Sequence, residues 1–248
     1  MNTFECREYR VWDRVVRVFH WINLLTVLGL AGIGLALLNG KALGLSAEGK
    51  LLLKTLHVWI GYVFAANLLV RLVWACGDNP HAGWRDLLPA GPAFRTRLKR
   101  YLLALRGRTS RPYLGHNPAG RLMVTLLLGL LLVQGFTGMV LAGTDIYYPP
   151  LGGWIAHWVA APGVDPALLV PGDRTLVDTV AYADMRRFRE PFITVHECAF
   201  YLLMLAVALH VAGVVVAELR EGGGLISAMI TGRKRISGRP EDAPDAER

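Results

Sequence analysis

The stretch HECAFYLLMLAVALH, residues 196–210, opens and closes on histidine and carries a single charged residue, Glu197, between them. Fourteen positions separate His196 from His210, about 1400° at about 100° per residue, or about 40° short of four helical turns. Both rings therefore leave one face of a single helix, about 21 Å apart along its axis. The apolar run around them, Phe192–Ala217, is long enough to cross a hydrocarbon core of about 30 Å at about 1.5 Å per residue.

Three further runs meet the same requirement: Val16–Leu38, Thr55–Trp74 and Leu122–Gly143. Of the 248 residues 53% are hydrophobic, and the mean hydropathy is +0.37, more apolar than an ordinary soluble domain. The pattern predicts an all-α integral membrane protein, a four-helix bundle over residues 1–235. The first run is longer than a secretory signal core and is followed by no clear small-x-small cleavage site, so it reads as a mature helix. The charged, proline-containing tail ISGRPEDAPDAER, residues 236–248, reads as disordered.

Net charge is +8, and its distribution argues topology rather than nucleic-acid binding. Arg7, Arg10, Arg14 and Arg17 precede the first run. A dense basic segment including Arg95, Arg97, Lys99 and Arg100 separates the second from the third, and Arg233, Lys234 and Arg235 follow the fourth. These segments share one side of a four-span protein. The positive-inside rule makes that side cytoplasmic, with both termini there, in a multi-pass protein of the bacterial inner membrane. Between the second and third runs, FRTRLKRYLLALRGR (residues 94–108) is a basic amphipathic piece suited to a short helix on the membrane surface. Between the third and fourth lies a long periplasmic loop, Asp145–Glu190, whose start DIYYPPLGGW combines turn signals with aromatic anchors suited to docking.

Three cysteines, Cys6, Cys76 and Cys198, imply no disulfide, and the absence of C-x-x-C-H leaves covalent haem unsupported. His81, His116 and His157 read as loop residues. His20, His57, His196 and His210 lie in the apolar runs. With helices alternating in direction, His57 reaches the depth of His196 near the outer face, and His20 that of His210 near the inner face. A lone intramembrane histidine is most often a packing or hydrogen-bonded residue. Four that pair by depth point instead to two bis-histidine sites, the ligand set of two b-type haems. Zinc would need ligands converging on one point, and a proton-coupled transporter would need carboxylates at the helix centres, which are absent here.

Weaker signals surround these four. Gly61 and Gly213 make room for a macrocycle or simply for helix packing. Arg14, Arg17 and Arg71 near the inner end are candidates for haem propionates, against the ordinary reading of a positive-inside cluster. Trp12, Trp21, Trp59 and Trp74 read as interfacial belt residues. Asn117 before Pro118 reads as the N-cap and first-turn proline of the third helix.

The segments VRVFHW, LKTLHVWIGYVFAANLLVRLVWA, GHNPAGRLM, the fourth helix with its two histidines, and AELREGGGLISAMITGRKR resemble the cytochrome b subunit of membrane-bound nickel–iron hydrogenases. That subunit belongs to the bacterial cytochrome b561 superfamily, and the resemblance spans roughly Val11–Arg235. It implies haem ligation by His57 with His196 on the outer side and by His20 with His210 on the inner side. It implies electron transfer from a periplasmic iron–sulfur subunit, the hydrogenase small subunit, to membrane quinone, either menaquinone or ubiquinone, with Asn117 in the quinone's vicinity. It allows a homo-oligomer within the complex. The loop Asp145–Glu190 is longer than that subunit usually carries, so another periplasmic redox protein remains an open alternative as donor.

The leading expectation is therefore an electron-transfer subunit of a hydrogen:quinone oxidoreductase, with no thiolate set for hydrogen activation of its own. Two others stand beside it: a b561-type cytochrome exchanging electrons between quinol and a periplasmic c-type cytochrome or another oxidoreductase, and a haem-free structural anchor.

Overall fold

The computed structural model describes residues 6–78, 80–107, 109–222 and 224–242. Its four long helices are α1 (Arg14–Leu38), α2 (Ala47–Trp74), α5 (Pro118–Ile146) and α7 (Thr179–Glu221), each long and apolar enough to cross a membrane. Between them lie α3 (Trp84–Leu87), α4 (Phe94–Arg106) and α6 (Gly152–Val159), and after them α8 (Leu225–Thr231). One of four polar side chains caps each long helix by accepting the first free amides. Asp13 Oδ1 accepts Val16 N–H at 2.8 Å, Ser46 Oγ accepts Gly49 N–H at 3.0 Å, Asn117 Oδ1 accepts Gly120 N–H at 2.7 Å and Asp178 Oδ1 accepts Ala181 N–H at 2.8 Å. At the other end of α7, Gly222 takes φ +64, the left-handed turn that stops a helix and favours glycine.

The apolar faces are outward. Leu25 is 68% exposed, Leu219 80%, and Leu28, Leu69, Val73, Leu126, Phe136 and Leu205 are exposed with them, a coat suited to lipid rather than water.

The chain divides into two compact units. The terminal unit comprises the described residues of Met1–Ile22, Asn67–Gly129 and Leu203–Arg248. Its core is Val11, Trp12, Val16, Ala82, Leu114, Ala228 and Ile236. A short antiparallel ladder that the sequence does not announce closes it, β1 (Cys6–Arg10) against β2 (Arg233–Ser237), from Cys6 opposite Ser237 to Arg10 opposite Arg233. Both strands are rich in arginine, and neither alternates apolar with polar residues in the usual way; pairing puts Lys234 and Ile236 inward at 1% exposure each. Lys234 Nζ donates to the carbonyls of Tyr113, Leu114 and Gly115 at 3.0, 2.8 and 3.3 Å, which satisfies a buried ammonium. The tail is therefore ordered beyond its expected start at Ile236. Asp242 accepts the N–H groups of Leu114 and Gly115 at 2.6 and 3.0 Å, and residues 243–248 lie outside the described residues.

The loop unit comprises Asn23–Ala66 and Leu130–Leu202. Helix α7 begins 13 residues before the expected Phe192 and carries Pro191 inside it. An interior proline removes one backbone bond at a cost of about 3 kcal/mol, so packing must hold the extension. Ile155 and Val159 of α6 are fully buried against Val177 and Met185, and Arg189 Nε meets Asp145 Oδ1 at 2.8 Å. Lys54 Nζ reaches the same carboxylate at 3.2 Å. The connection Tyr147–Asp178 is thus a folded element. Tyr147 packs into its cluster, whereas Trp154 stays 58% exposed.

Candidate functional site

In the loop unit α2 presents His57 and α7 presents His196, with ring centroids 6.3 Å apart and planes at 69°. Two metal–imidazole bonds of about 2 Å, plus about 1.1 Å from each ring nitrogen to its centroid, add to about 6 Å, so a single metal ion fits between the rings. Helix α5 sets the chemistry of His196. The hydroxyl of Thr137 donates to Val133 O at 2.7 Å, which uses its one proton. Its oxygen, 2.8 Å from His196 Nδ1, must therefore accept from Nδ1–H. A neutral imidazole protonated at Nδ1 keeps its lone pair on Nε2, the state that ligates iron. Gln134 Nε2 donates to His196 O at 3.0 Å, fixing the same turn of α7.

Glycines back both rings. A Cβ on Gly138 would lie 3.5 Å from His196 Cε1, and one on Gly34 would lie 3.6 Å from His57 Cε1. Among the described residues the Nδ1 of His57 is buried without a partner, a polar group the surrounding side chains leave unsatisfied. Gly61 faces open space, as does Gly213 in the terminal unit; a Cβ on either would meet no atom within 4 Å. Two imidazoles at one-metal spacing, one with its tautomer set and both over bare backbone, fit an axially ligated haem.

In the terminal unit His20 on α1 and His210 on α7 lie within electrostatic range of one another. His20 Nδ1 is buried and unpartnered, and Trp21 packs edge-on against its ring at 5.5 Å. Asn67 of α2 donates to Phe19 O at 3.0 Å, pinning the turn that carries His20. Among the described residues no three His, Cys, Asp or Glu side chains converge as a metal cluster.

Asn117 is the cap the sequence predicts, and its Nδ2 also donates to Tyr101 OH at 2.7 Å, which donates to Glu221 Oε1 at 2.6 Å. Burial and the Glu221 carboxylate push the Tyr101 phenol far up. Arg17 turns to backbone, with Nε donating to Asp13 O at 3.3 Å and Nη1 to Ile230 O. It lines, with Arg14 and Trp21, a groove of about 500 Å³ against Met229 and Ile230. Arg71 is 4% exposed; its Nη2 donates to Ala82 O at 3.1 Å, and its Nη1 is buried without a partner.

Two expected belt residues are otherwise engaged. Trp12 is buried in the core at 6% exposure, and Trp74 Nε1 donates to Asp13 Oδ2 at 2.9 Å, whereas Trp21 and Trp59 remain exposed. His157 lies on α6 rather than in a loop. His116 packs 4.8 Å from Trp12, and burial together with Lys234, Arg71, His81 and Arg121 pulls its pKa down to about 3. Sequence reasoning missed Thr137, Gly34 and Gly138. The available signal was the polar and small run QGFTG, residues 134–138, inside an otherwise apolar helix.

Residues 11–232 match the family model described as prokaryotic cytochrome b561. A protein of Rhizobium leguminosarum bv. viciae called a probable Ni/Fe-hydrogenase B-type cytochrome subunit is 24% identical over 97% of this chain and 94% of its own. Proteins of the same description are 32% identical over 58% of this chain and 65% of their own in Azotobacter vinelandii, and 24% identical over 91% and 85% in Bradyrhizobium diazoefficiens. No solved structure matches the chain.

Proposed function

The chain belongs to the prokaryotic cytochrome b561 family, and from that membership we propose that it is a diheme subunit carrying electrons between a periplasmic nickel–iron hydrogenase and membrane quinone. The observation that supports this most is the His57–His196 pair, 6.3 Å between centroids, with Thr137 fixing the ligand tautomer of His196. Haem b supplies a one-electron couple held within the protein. His57 and His196 hold the outer haem, and His20 and His210 the inner one. Gly34 and Gly138 leave the ring faces clear, and the apolar helices keep water from both sites.

The arginine-rich segments before α1, around α4 and after α7 support a cytoplasmic side for themselves and a periplasmic side for the connection Tyr147–Asp178. Quinone, menaquinone or ubiquinone, exchanges electrons on the inner side near Asn117. Asn117 Oδ1 accepts from Gly120 N–H and one of its two amide N–H groups goes to Tyr101, which among the described residues leaves the other to donate. Arg71 and Arg17 serve the inner propionates, Arg71 with the better-placed donor. Exposed Trp154, with Leu168 and Val170, offers the periplasmic partner an apolar anchor.

The test is reconstitution. Affinity purification in mild detergent from cells producing the hydrogenase retains its small subunit; hydrogen reduces the b-type absorption, and added quinone reoxidises it. Full reduction by a periplasmic c-type cytochrome, with no hydrogenase recovered, overturns the assignment of the partner.

A further inference from the structure

Outside the histidine pairs, the terminal unit holds one more knot of buried polar groups. Arg71 reaches from α2 to the turn at His81 and Ala82, where its Nη2 meets Ala82 O at 3.1 Å. The same turn abuts Gly115; a Cβ there would come within 2.8 Å of His81 Nδ1. The next residue, His116, stands 4.8 Å from Trp12, and Lys234 Nζ lies 5.7 Å from that indole while bonding the carbonyls on either side of Leu114. Arg71, His81, Lys234 and Arg121 all act on His116 electrostatically. Asp242 acts electrostatically on Lys234, Asp13 on Arg71 and Asp86 on Arg121.

Among the described residues three buried nitrogens of this cationic cluster have no partner: Arg71 Nη1, on a side chain 4% exposed, His116 Nδ1 and Arg121 Nε. Buried polar nitrogens left without a partner are rare, because each costs about 1–3 kcal/mol when left unpaired. Positive potential with unpaired nitrogen is the electrostatic complement of an anionic oxygen. Its place bears on the identity of that oxygen. Arg71 Cζ lies 6.0 Å from the ring of Phe19, the residue before His20.

We infer that Arg71 and His116 form a two-sided clamp for a carboxylate, a propionate of the haem held by His20 and His210. This rests on the reading that those two histidines bind a haem. The clamp adds His116 to the haem's binding residues. It also gives the GHNP segment a second role: Asn117 caps α5 while His116 turns back into the knot.

The clamp makes the charge of the propionate, and hence the haem potential, depend on these two side chains. A reduced haem is one unit more negative than an oxidised one, so a cation beside it raises the potential. Purified haem-loaded protein is compared with Arg71→Gln, His116→Phe and His116→Gln by haem-to-protein ratio, redox titration from pH 5 to 8 and reduced-minus-oxidised infrared spectra. Arg71→Gln lowers one of the two midpoint potentials. His116→Phe makes that same potential pH-dependent and brings up a protonated-carboxyl band, and His116→Gln, which keeps an N–H donor, restores the parent behaviour. Arg71→Lys serves where Arg71→Gln does not assemble, and still lowers the potential, because an ammonium cannot reach both Ala82 O and the carboxylate.

A parent protein with one haem removes the reading on which the clamp rests. Two haems with potentials and carboxyl bands unmoved in His116→Phe overturn the clamp alone. Unmoved potentials with slowed reoxidation by quinone transfer the site to a quinone oxygen and likewise overturn it.

Discussion

Thr137 shows how much one hydroxyl decides. Its proton goes to Val133 O, so its lone pair takes the His196 Nδ1 proton and leaves the imidazole lone pair on Nε2, where the proposed ligation needs it. Thr137→Val should weaken the outer site by about 1 kcal/mol, the net worth of a hydrogen bond, and Thr137→Ser should preserve it. Haem retention during dilution of the purified protein measures this. The four helical histidines stand out in the sequence as candidates because the expected topology pairs them by depth. Thr137 does not, since a threonine in a helix ordinarily bonds the carbonyl four residues back and nothing in its spacing reveals a second partner. His116 escaped for a related reason: a histidine before Asn-Pro reads as loop, and only the fold brings Trp12, His81 and Lys234 around it.

Lys234 carries a pH dependence at the same scale. Burial outweighs its acidic neighbours Asp242, Glu221 and Glu218 and brings its pKa from 10.5 down to about 8. Between about 8 and 10.5 the unfolded chain holds a proton that the folded chain has released, so stability rises with pH across that window. Tyr113, pushed up to about 12, and Tyr101 oppose this only above pH 10, where the folded state keeps protons the unfolded state loses. Thermal unfolding from pH 7.5 to 10 should therefore show a rising melting temperature in the parent protein and a flatter profile in Lys234→Met.

At the scale of elements, spanning helices are written in hydropathy, and their starts are written in caps. Asn117 before Pro118 was readable as such, and Asp13, Ser46 and Asp178 follow the same rule. Helix α7 starts ahead of the apolar run Phe192–Ala217, whose hydropathy says nothing of a polar extension that passes through Pro191. The contacts that hold this extension, Met185 in the core and Arg189 on Asp145, come from residues distant in sequence. The β1–β2 ladder was hidden for the same reason, since two arginine-rich segments at opposite ends of the chain carry no strand pattern of their own. Arg189 is 8% exposed, so Asp145→Ala strands a buried guanidinium and should cost about 3 kcal/mol, read as earlier unfolding and faster proteolysis between Tyr147 and Asp178. Lys54→Ala, which leaves the Arg189 pair intact, should cost less than about 1 kcal/mol.

At the scale of the whole molecule, each compact unit contains one histidine pair, His20 with His210 in the terminal unit and His57 with His196 in the loop unit. Helices α1, α2, α5 and α7 run through both units, so one set of apolar segments serves two sites. The basic segments lie in the terminal unit, which predicts that reporter fusions after Arg111 read cytoplasmic and fusions after Pro171 periplasmic. The central claim, two haems each held by one pair, is tested most directly by haem-to-protein ratios in the purified parent protein, His196→Leu and His210→Leu. The account predicts two haems in the parent and one in each variant, with different spectra for the haem that remains. A parent ratio other than two, or both haems retained in either variant, would contradict it.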